Sequence, residues 1–167
     1  FEEPLAAAVS FLGYTDHETK LTVCGNCHVE KQGGWEQTGH ASAWAGLQAS
    51  PAAQALCEGC HTVGQNGNAI EEVAGYEATA EARYEDVQCE SCHGPGLEHV
   101  TNPKDENVPL AALNVGVTAT QGCGECHADT HHPFVEEWAQ SRHGDASTRQ
   151  SYRVREGVKR VTAVKVR

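Results

Sequence analysis

The cysteines are the residues whose type and spacing most clearly carry chemistry in this chain. All eight occur as Cys-x-x-Cys pairs, and a histidine follows each pair directly, at residues 24–28, 57–61, 89–93 and 123–127. This pattern is the attachment signature of c-type haem. Two thiols at this spacing can form thioethers with the two vinyl groups of one porphyrin, and the adjacent imidazole can then reach the iron. The sequence therefore predicts four haem c groups as cofactors.

The cysteines and histidines of these motifs define the predicted covalent sites. The attachment residues are Cys24, Cys27, Cys57, Cys60, Cys89, Cys92, Cys123 and Cys126, and the proximal iron ligands are His28, His61, His93 and His127. Other uses of cysteine fit less well. A disulfide framework needs no histidine, and an all-cysteine zinc site does not require one after every pair. A thioredoxin-like redox pair occurs once, within a βαβ pattern.

The low apolar content of the chain also favours bound haem. Leu, Ile, Val and Phe make up 28 of the 167 residues, about 17%, and the net charge is −11. In an ordinary chain these values indicate disorder, but four haems are large apolar discs that can fill the interior instead. Such an acidic chain is not expected to bind nucleic acid. The longest apolar run, roughly residues 4–13, is about half a membrane span, so no transmembrane helix is predicted.

The six remaining histidines are the candidates for the distal position on each iron. The chain has no methionine, so Met/His ligation is excluded and bis-histidine ligation is expected. His40 and His143 each end a Trp-x-Gln-Ser/Thr-x-His pattern, and a Gly-Pro-Gly turn after the third motif can present His99 to a porphyrin. These three are the predicted distal ligands. The fourth is expected to be one of His132, His131 or His17.

The expected fold is mostly α with long loops, wrapped on closely packed haems. The first cysteines of successive motifs are 33, 32 and 34 residues apart, but no apolar repeat accompanies this period, so a solenoid is not predicted. Helices are expected at residues 35–49, 69–86 and 134–143, the last with Pro133 at its first turn. A polar loop is expected at residues 102–108.

Charge separates the end of the chain from the rest. Residues 1–141 carry 21 acidic and four basic side chains, a net charge of −17, whereas residues 142–167 carry two acidic and eight basic ones, a net charge of +6. The predicted organisation is an apolar arm at residues 1–23, a tetrahaem domain at residues 24–143 and a basic tail at residues 144–167. Alternating apolar residues in the tail favour a strand or β-ribbon over a solvated tail.

Three longer patterns carry a family resemblance. They are Cys-x-x-Cys-His-x6-Trp-x-x-Thr-x-His at residues 24–40, Cys-Glu-Ser-Cys-His-Gly-Pro-Gly at residues 89–96, and His-His-Pro-x-x-x-Glu-Trp-x-x-Ser-x-His at residues 131–143. Over this span the chain resembles the multihaem cytochrome family of the tetrahaem electron acceptor of hydroxylamine oxidoreductase. The resemblance implies a mostly α fold on haem pairs and bis-histidine ligation at most irons, although one haem of that family can lack a distal ligand. Tetrahaem subunits of extracellular cytochrome filaments are a looser likeness.

Electron transfer is the function that these features favour. Four haems in so short a chain must lie close enough for electrons to pass between irons, and no catalytic residue is predicted. The alternative of another class is a reductase of nitrogen oxides, which needs one open iron. None of the four motifs ends in the lysine seen at the catalytic haem of haem nitrite reductases, and distal histidines are in surplus.

The basic tail and the apolar arm both suggest assembly. The tail suits an acidic surface, an exposed strand can be completed by another chain, and head-to-tail contacts of this kind build open filaments. A homopolymer is therefore the favoured partner prediction, with His17 as a ligand offered to a neighbouring subunit. A soluble periplasmic shuttle is the alternative. Thioether-bound haem predicts an exported protein, extracellular or at the cell surface, and otherwise periplasmic.

Overall fold

Short helices form most of the regular structure. The computed structural model describes residues 10–68, 70–104, 107–109, 117–118, 121–128 and 132–144, and about half of them are helical. The α-helices are α1 (Val29–Trp35), α2 (Ala43–Ala49), α3 (Glu58–His61), α4 (Tyr76–Thr79), α5 (Cys89–His93), α6 (Leu97–Thr101), α7 (Cys123–His127) and α8 (Phe134–Gln140). The 3-10 turns that bear on the site are Cys24–Asn26, Gly39–Ser42, Ala55–Cys57 and Ala82–Tyr84.

Two small antiparallel sheets complete the described structure. In the first, β1 (Tyr14–Asp16) pairs with β2 (Leu21–Thr22), with an irregular register between Tyr14 and Asp16. In the second, β3 (Val117–Thr118) pairs with β4 (Gln121–Gly122) directly before α7. The sheets are too small to bury a face, so they serve to set the chain direction into the motifs that follow them.

The attachment motifs are themselves helical turns. The first begins in the 3-10 turn Cys24–Asn26, the second contains α3, and the third and fourth coincide with α5 and α7. Residues three and four apart lie on one face of a helix. Each turn therefore presents its two thiols and the following imidazole on the same side, as attachment of one porphyrin requires.

Among the described residues, four side chains form the hydrophobic core. Phe11, Val63, Ala74 and Tyr84 are each at most 2% exposed and pack together. The Tyr84 hydroxyl donates to the Phe11 carbonyl oxygen at 3.0 Å, and the Val63 amide donates to the Tyr84 carbonyl at 2.8 Å. So small a protein core agrees with the low apolar content of the sequence.

The described part of the N-terminal arm joins this core. Phe11 is buried, and Val23 donates its amide to the Gly13 carbonyl at 3.0 Å, which closes the β1–β2 hairpin against the start of the first motif. Phe11 of the predicted apolar arm is therefore part of this core. Residues 1–9 lie outside the described part of the chain.

The helices predicted at 35–49 and 134–143 are present in part. The helix predicted at 35–49 ends at Ala49 as expected, but only Ala43–Ala49 of it is α-helical, because Trp35 ends α1 and Thr38 is extended before the 3-10 turn Gly39–Ser42. The helix expected at 134–143 begins at Phe134 and ends at Gln140. The Ser141 hydroxyl donates to the Trp138 carbonyl at 2.6 Å and so competes with helical bonding there.

The helix expected at 69–86 is wrong. Gly75 has φ +60° and ψ −129°, which a helix does not contain, and the chain forms only α4 and the 3-10 turn Ala82–Tyr84. Ala80 ends α4 in the left-handed conformation. Residues 102–104 and 107–108 contain no α-helix, in agreement with the predicted polar loop.

The chain divides into two compact units, Phe1–Val135 and Glu136–Arg167. The first unit contains all four motifs and the core. The strand expected in the basic tail falls on residues outside the described ranges and stays a prediction, as do the boundaries at residues 23 and 143. No helix in the described part of the chain has the length and apolarity needed to span a bilayer.

Gly75 provides a test of this fold. A Cβ at this position would overlap the Val63 carbonyl oxygen, and its backbone conformation is available only to glycine. We expect Gly75→Ala to lower the free energy of unfolding by about 1–3 kcal/mol, measured by guanidinium unfolding of the haem-loaded protein. Gly34→Ala is the matched control, because a Cβ there meets no protein atom within 4 Å and α1 gains up to about 1 kcal/mol from alanine. Equal effects of both changes would contradict the assigned backbone.

Candidate haem centre

Thiols of different motifs meet in pairs. Cys24 lies beside Cys89, and the interaction between the two thiols lowers the pKa of Cys89 to about 7 and raises that of Cys24 above its ordinary range. Cys60 lies beside Cys126, and their interaction lowers the pKa of Cys60 to about 7. The first motif is thus adjacent to the third, and the second to the fourth.

A further contact joins the two pairs of motifs. Burial raises the pKa of Cys92, and the nearby Cys123 and Cys89 thiols raise it further. The third and fourth motifs are therefore neighbours as well, and Cys60, Cys92 and Cys126 of the second, third and fourth motifs line one cavity. None of the eight cysteines forms a disulfide bond. Among the described residues, no group of three or more His, Cys, Asp or Glu side chains is arranged to hold one metal ion.

The proximal His28 faces His99. Their ring centroids are 6.3 Å apart, and the rings are nearly parallel, with 17° between their planes. An iron atom held by two imidazole nitrogens at about 2 Å each separates the ring centroids by roughly 6 Å. Nδ1 of His99 is buried without a hydrogen-bond partner. The spacing of the two rings fits a pair of axial ligands at the first motif.

The proximal His127 has two imidazole neighbours. The His40 ring centroid lies 5.9 Å from that of His127, at 38° between planes, and the His132 centroid lies 6.0 Å away, at 73°. Burial lowers the pKa of His127, and the neighbouring His40 and His132 lower it further. This environment favours the neutral imidazole that an iron ligand requires. His40 and His132 are both within reach of the fourth motif.

His61 is oriented by a backbone group. Its Nδ1 donates to the Ala43 carbonyl at 2.8 Å, which leaves Nε2 free. Iron-ligating and zinc-ligating histidines are commonly oriented in this way. Among the described side chains, no imidazole ring packs against His61 or His93.

The other predicted ligands are placed less directly. His17 lies beside Glu85, with Nε2 2.8 Å from Oε2, and its side chain is about 39% exposed. That contact would have to break for His17 to bind iron through Nε2. His131 lies outside the described residues, and His143 lies in the second compact unit. The roles of these three histidines stay predictions.

A cavity of about 640 Å³ lies between the second and fourth motifs. Its lining includes His40, His61, His127, His132, Cys60 and Cys126. Cofactor pockets commonly have this size. A cavity with imidazoles and attachment thiols on its walls fits a porphyrin, and the residues present therefore suit haem c.

Asp86 holds the segment that carries His40. This carboxylate is 2% exposed, and it accepts hydrogen bonds from the Lys20 ammonium at 2.9 Å, the Tyr14 hydroxyl at 2.8 Å and the Trp44 amide at 2.9 Å. Lys20 also donates to the Ala41 carbonyl, next to His40. Burial and the Asp86 charge raise the pKa of Tyr14. The sequence reasoning missed this network, because its members are scattered along the chain.

Two acidic residues inside the motifs were also missed. Glu125, in the fourth motif, accepts the Gly122 amide and the Gly67 amide, each at 2.9 Å. Glu90, in the third motif, is 3% exposed. Trp35, which begins the pattern that ends at His40, donates its indole N–H to the Val87 carbonyl at 2.8 Å. For Glu90 and Glu125, the signal available in the sequence was an acidic residue between the two cysteines of a motif.

Comparison with known proteins agrees with this site. Residues 23–94, which hold the first three motifs, match the family model for cytochrome c554 and c-prime. No curated protein and no solved structure matches the chain. Over these residues the chain is similar to the cytochrome c554 and c-prime family, and this similarity supports a multihaem c-type cytochrome that carries haem c.

Proposed function

We propose that this protein transfers electrons through four covalently bound, bis-histidine c-type haems. The observation that carries the proposal is the pairing of imidazoles at the distance that one iron requires, since the ring centroids of His28 and His99 are 6.3 Å apart and those of His40 and His127 are 5.9 Å apart. Haem iron supplies the one-electron chemistry when it is bound. The chain attaches the haems by its thiols, orients the axial imidazoles and holds neighbouring sites within a short distance of each other.

The adjacency of the motifs supports a path for the electron that does not follow chain order. Thiols of the first and third motifs are neighbours, and the second, third and fourth motifs line one cavity. We therefore propose that the first haem exchanges electrons with the third, and the third with the second and the fourth. No binding site for another substrate is needed for this function.

The distal ligands proposed from sequence receive unequal support. The spacing of His99 from His28 and of His40 from His127 supports these two pairs. His132 competes with His40 at the fourth motif, since it lies at a similar distance. His143 remains the third proposed ligand, and the fourth remains one of His132, His131 or His17.

A reductase with one open iron is the second candidate function. It is favoured by one observation, which is that no imidazole packs against His61 or His93 among the described side chains. The ferric spectrum separates the two functions. Bis-histidine irons are low-spin, whereas an open iron adds a high-spin component at neutral pH.

The number of haems is directly measurable. We expect the intact mass of the mature protein to exceed the polypeptide mass by four haem groups, because every motif has both thiols and its histidine on one face. Replacing Cys57 and Cys60 together by alanine should remove one haem and leave three. A mass that does not change with this double variant would contradict attachment at the second motif.

Replacing a distal ligand should open one iron. We expect His99→Ala to leave four haems attached, but to make one iron high-spin and able to bind CO, and His40→Ala to do the same at another iron. Glu98→Ala is the matched control for His99, because it changes an exposed neighbour on the same helix. If His99→Ala leaves every iron low-spin and unreactive, the pairing with His28 is incorrect.

We propose assembly into an extracellular filament, with a soluble shuttle as the alternative. The proposal rests on the opposite charges of residues 1–141 and 142–167, −17 and +6. Phe11 is buried in its own chain, so the apolar arm supports assembly only through residues 1–9. An acidic body and a basic tail attract each other between copies, and salt weakens such attraction.

Sedimentation at micromolar concentration tests assembly. We expect species much larger than the 17.9 kDa chain, and dissociation when Arg153, Arg155, Lys159 and Arg160 are replaced by glutamine. Replacing Glu71, Glu72, Glu136 and Glu137 by glutamine is the converse variant, and it should weaken assembly through the acidic partner. A uniform monomer at moderate salt, with no polymer by electron microscopy, would favour the shuttle.

A further inference from the structure

Glu90 is a buried carboxylate with backbone partners. It is the second residue of the third attachment motif and is only 3% exposed. A buried charge is costly unless hydrogen bonds compensate it. Burial raises the pKa of Glu90, whereas the amides of Gly13, Gly96 and Leu12 lower it. The stabilisation of this carboxylate therefore comes largely from main-chain amides.

Those amides belong to two separate segments. Oε1 accepts the Gly96 amide at 2.8 Å, and Oε2 accepts the Gly13 amide at 2.8 Å. The Leu12 amide approaches both oxygens, at 3.1 and 2.9 Å. One side chain thus joins α5 to the N-terminal segment and to the Gly-Pro-Gly turn.

The Gly96 contact connects Glu90 with the helix that carries His99, a proposed distal ligand. Gly96 is the N-cap residue of α6, which carries His99 three residues further on. The main chain of Glu90 also holds this turn, because its carbonyl accepts the Gly94 amide at 2.9 Å. The direction in which α6 leaves the turn therefore depends on Glu90.

The Gly13 contact connects Glu90 with the segment that precedes His28, the proposed proximal ligand of the same iron. The Gly13 carbonyl accepts a hydrogen bond from the Val23 amide at 3.0 Å. Val23 directly precedes the first motif, which ends at His28. Both segments that Glu90 joins thus bear one of the two facing imidazoles, His28 and His99, whose centroids are 6.3 Å apart.

We propose that Glu90 is a positioning residue for the first haem, although it lies within the motif of the third. It sets the spacing of His28 and His99 by holding the Leu12–Gly13 and Gly96 amides on its two oxygens. This inference rests on the proposed function, because it assumes that His28 and His99 ligate one iron.

Glu90→Gln tests the proposal with little change in shape. The glutamine amide places an N–H group against an amide that formerly donated to the carboxylate. We expect four haems to remain attached and the equilibrium constant for binding of His99 to iron to fall by about 10- to 100-fold. Loss of other residues that orient a metal ligand has effects of this size. The readouts are a high-spin ferric component and CO uptake at one iron. Glu98→Gln is the matched control and should change neither readout.

The double variant with His99→Ala shows where Glu90 acts. If Glu90 acts by positioning His99, adding Glu90→Gln to His99→Ala should open no further iron. The two substitutions would then affect the same ligand–iron bond, and effects on one bond are not additive. An additional open iron in the double variant would overturn the proposal. Lower unfolding stability in Glu90→Gln with spectra equal to those of Glu98→Gln would also overturn it, since that is the effect of a purely structural residue.

Gly96→Ala provides a milder variant in case Glu90→Gln does not retain its haems. A Cβ on Gly96 lies 3.3 Å from Glu90 Oε1, so the contact is disturbed while the carboxylate stays. We expect the same spectral change with smaller amplitude, and spectra like those of the unaltered protein would overturn the role of this contact. If His99→Ala opens one iron and neither Glu90→Gln nor Gly96→Ala does, only this inference fails. If His99→Ala opens none, the ligand assignment fails and this inference with it.

Discussion

Buried carboxylates join distant segments of the described part of the chain. Its hydrophobic cluster contains Phe11, Val63, Ala74 and Tyr84, and Tyr14, Ala41 and Leu47 are buried elsewhere. Beyond it, buried Asp86 and Glu90 join distant segments by accepting hydrogen bonds from main-chain amides and from Tyr14 and Lys20. A carboxylate in such a site holds its partners in definite directions, because each bond depends on angle as well as distance. Packing of a few apolar side chains does not impose that precision.

These buried carboxylates lie where directional control matters most. Asp86 is linked to the turn that contains His40, and Glu90 is linked to the segments that lead to His28 and His99. The imidazoles that face each other across 5.9 to 6.3 Å are thus supported by charged hydrogen bonds. Metal centres commonly depend on residues of this kind, which orient a ligand without touching the metal. The acidic character of the body therefore contributes to the structure of the site.

The adjacency of the motifs connects this architecture with electron transfer. Each motif is a helical turn that presents its thiols on one face, and the turns meet as first with third and second with fourth. Neighbouring thiols place neighbouring porphyrin edges close together. The match of residues 23–94 to the cytochrome c554 and c-prime family agrees with such a multihaem arrangement.

The sequence by itself determined the chemistry of each motif. Attachment by Cys-x-x-Cys-His is local, because three- and four-residue spacings in a helical turn bring the thiols and the imidazole to one side. The absence of methionine and the low apolar content likewise needed no structure to interpret. Helix ends were predictable where a local signal exists, as at Ala49 and Phe134. The helix expected at 69–86 failed because the conformation of Gly75 follows from its contact with Val63, which is distant in the chain.

Only the tertiary structure decided which motifs and which histidines are neighbours. The pairs His28 with His99 and His40 with His127 join residues 71 and 87 positions apart in the sequence. Nothing in the spacing of the motifs indicates that the third lies beside the first and the fourth beside the second. Glu90 joins the third motif to the segment before the first through the Leu12 and Gly13 amides, and Glu125 joins the fourth motif to Gly67, in the segment that follows the second. Local sequence determines what each motif can bind, and long-range hydrogen bonding determines how the motifs are arranged around one another.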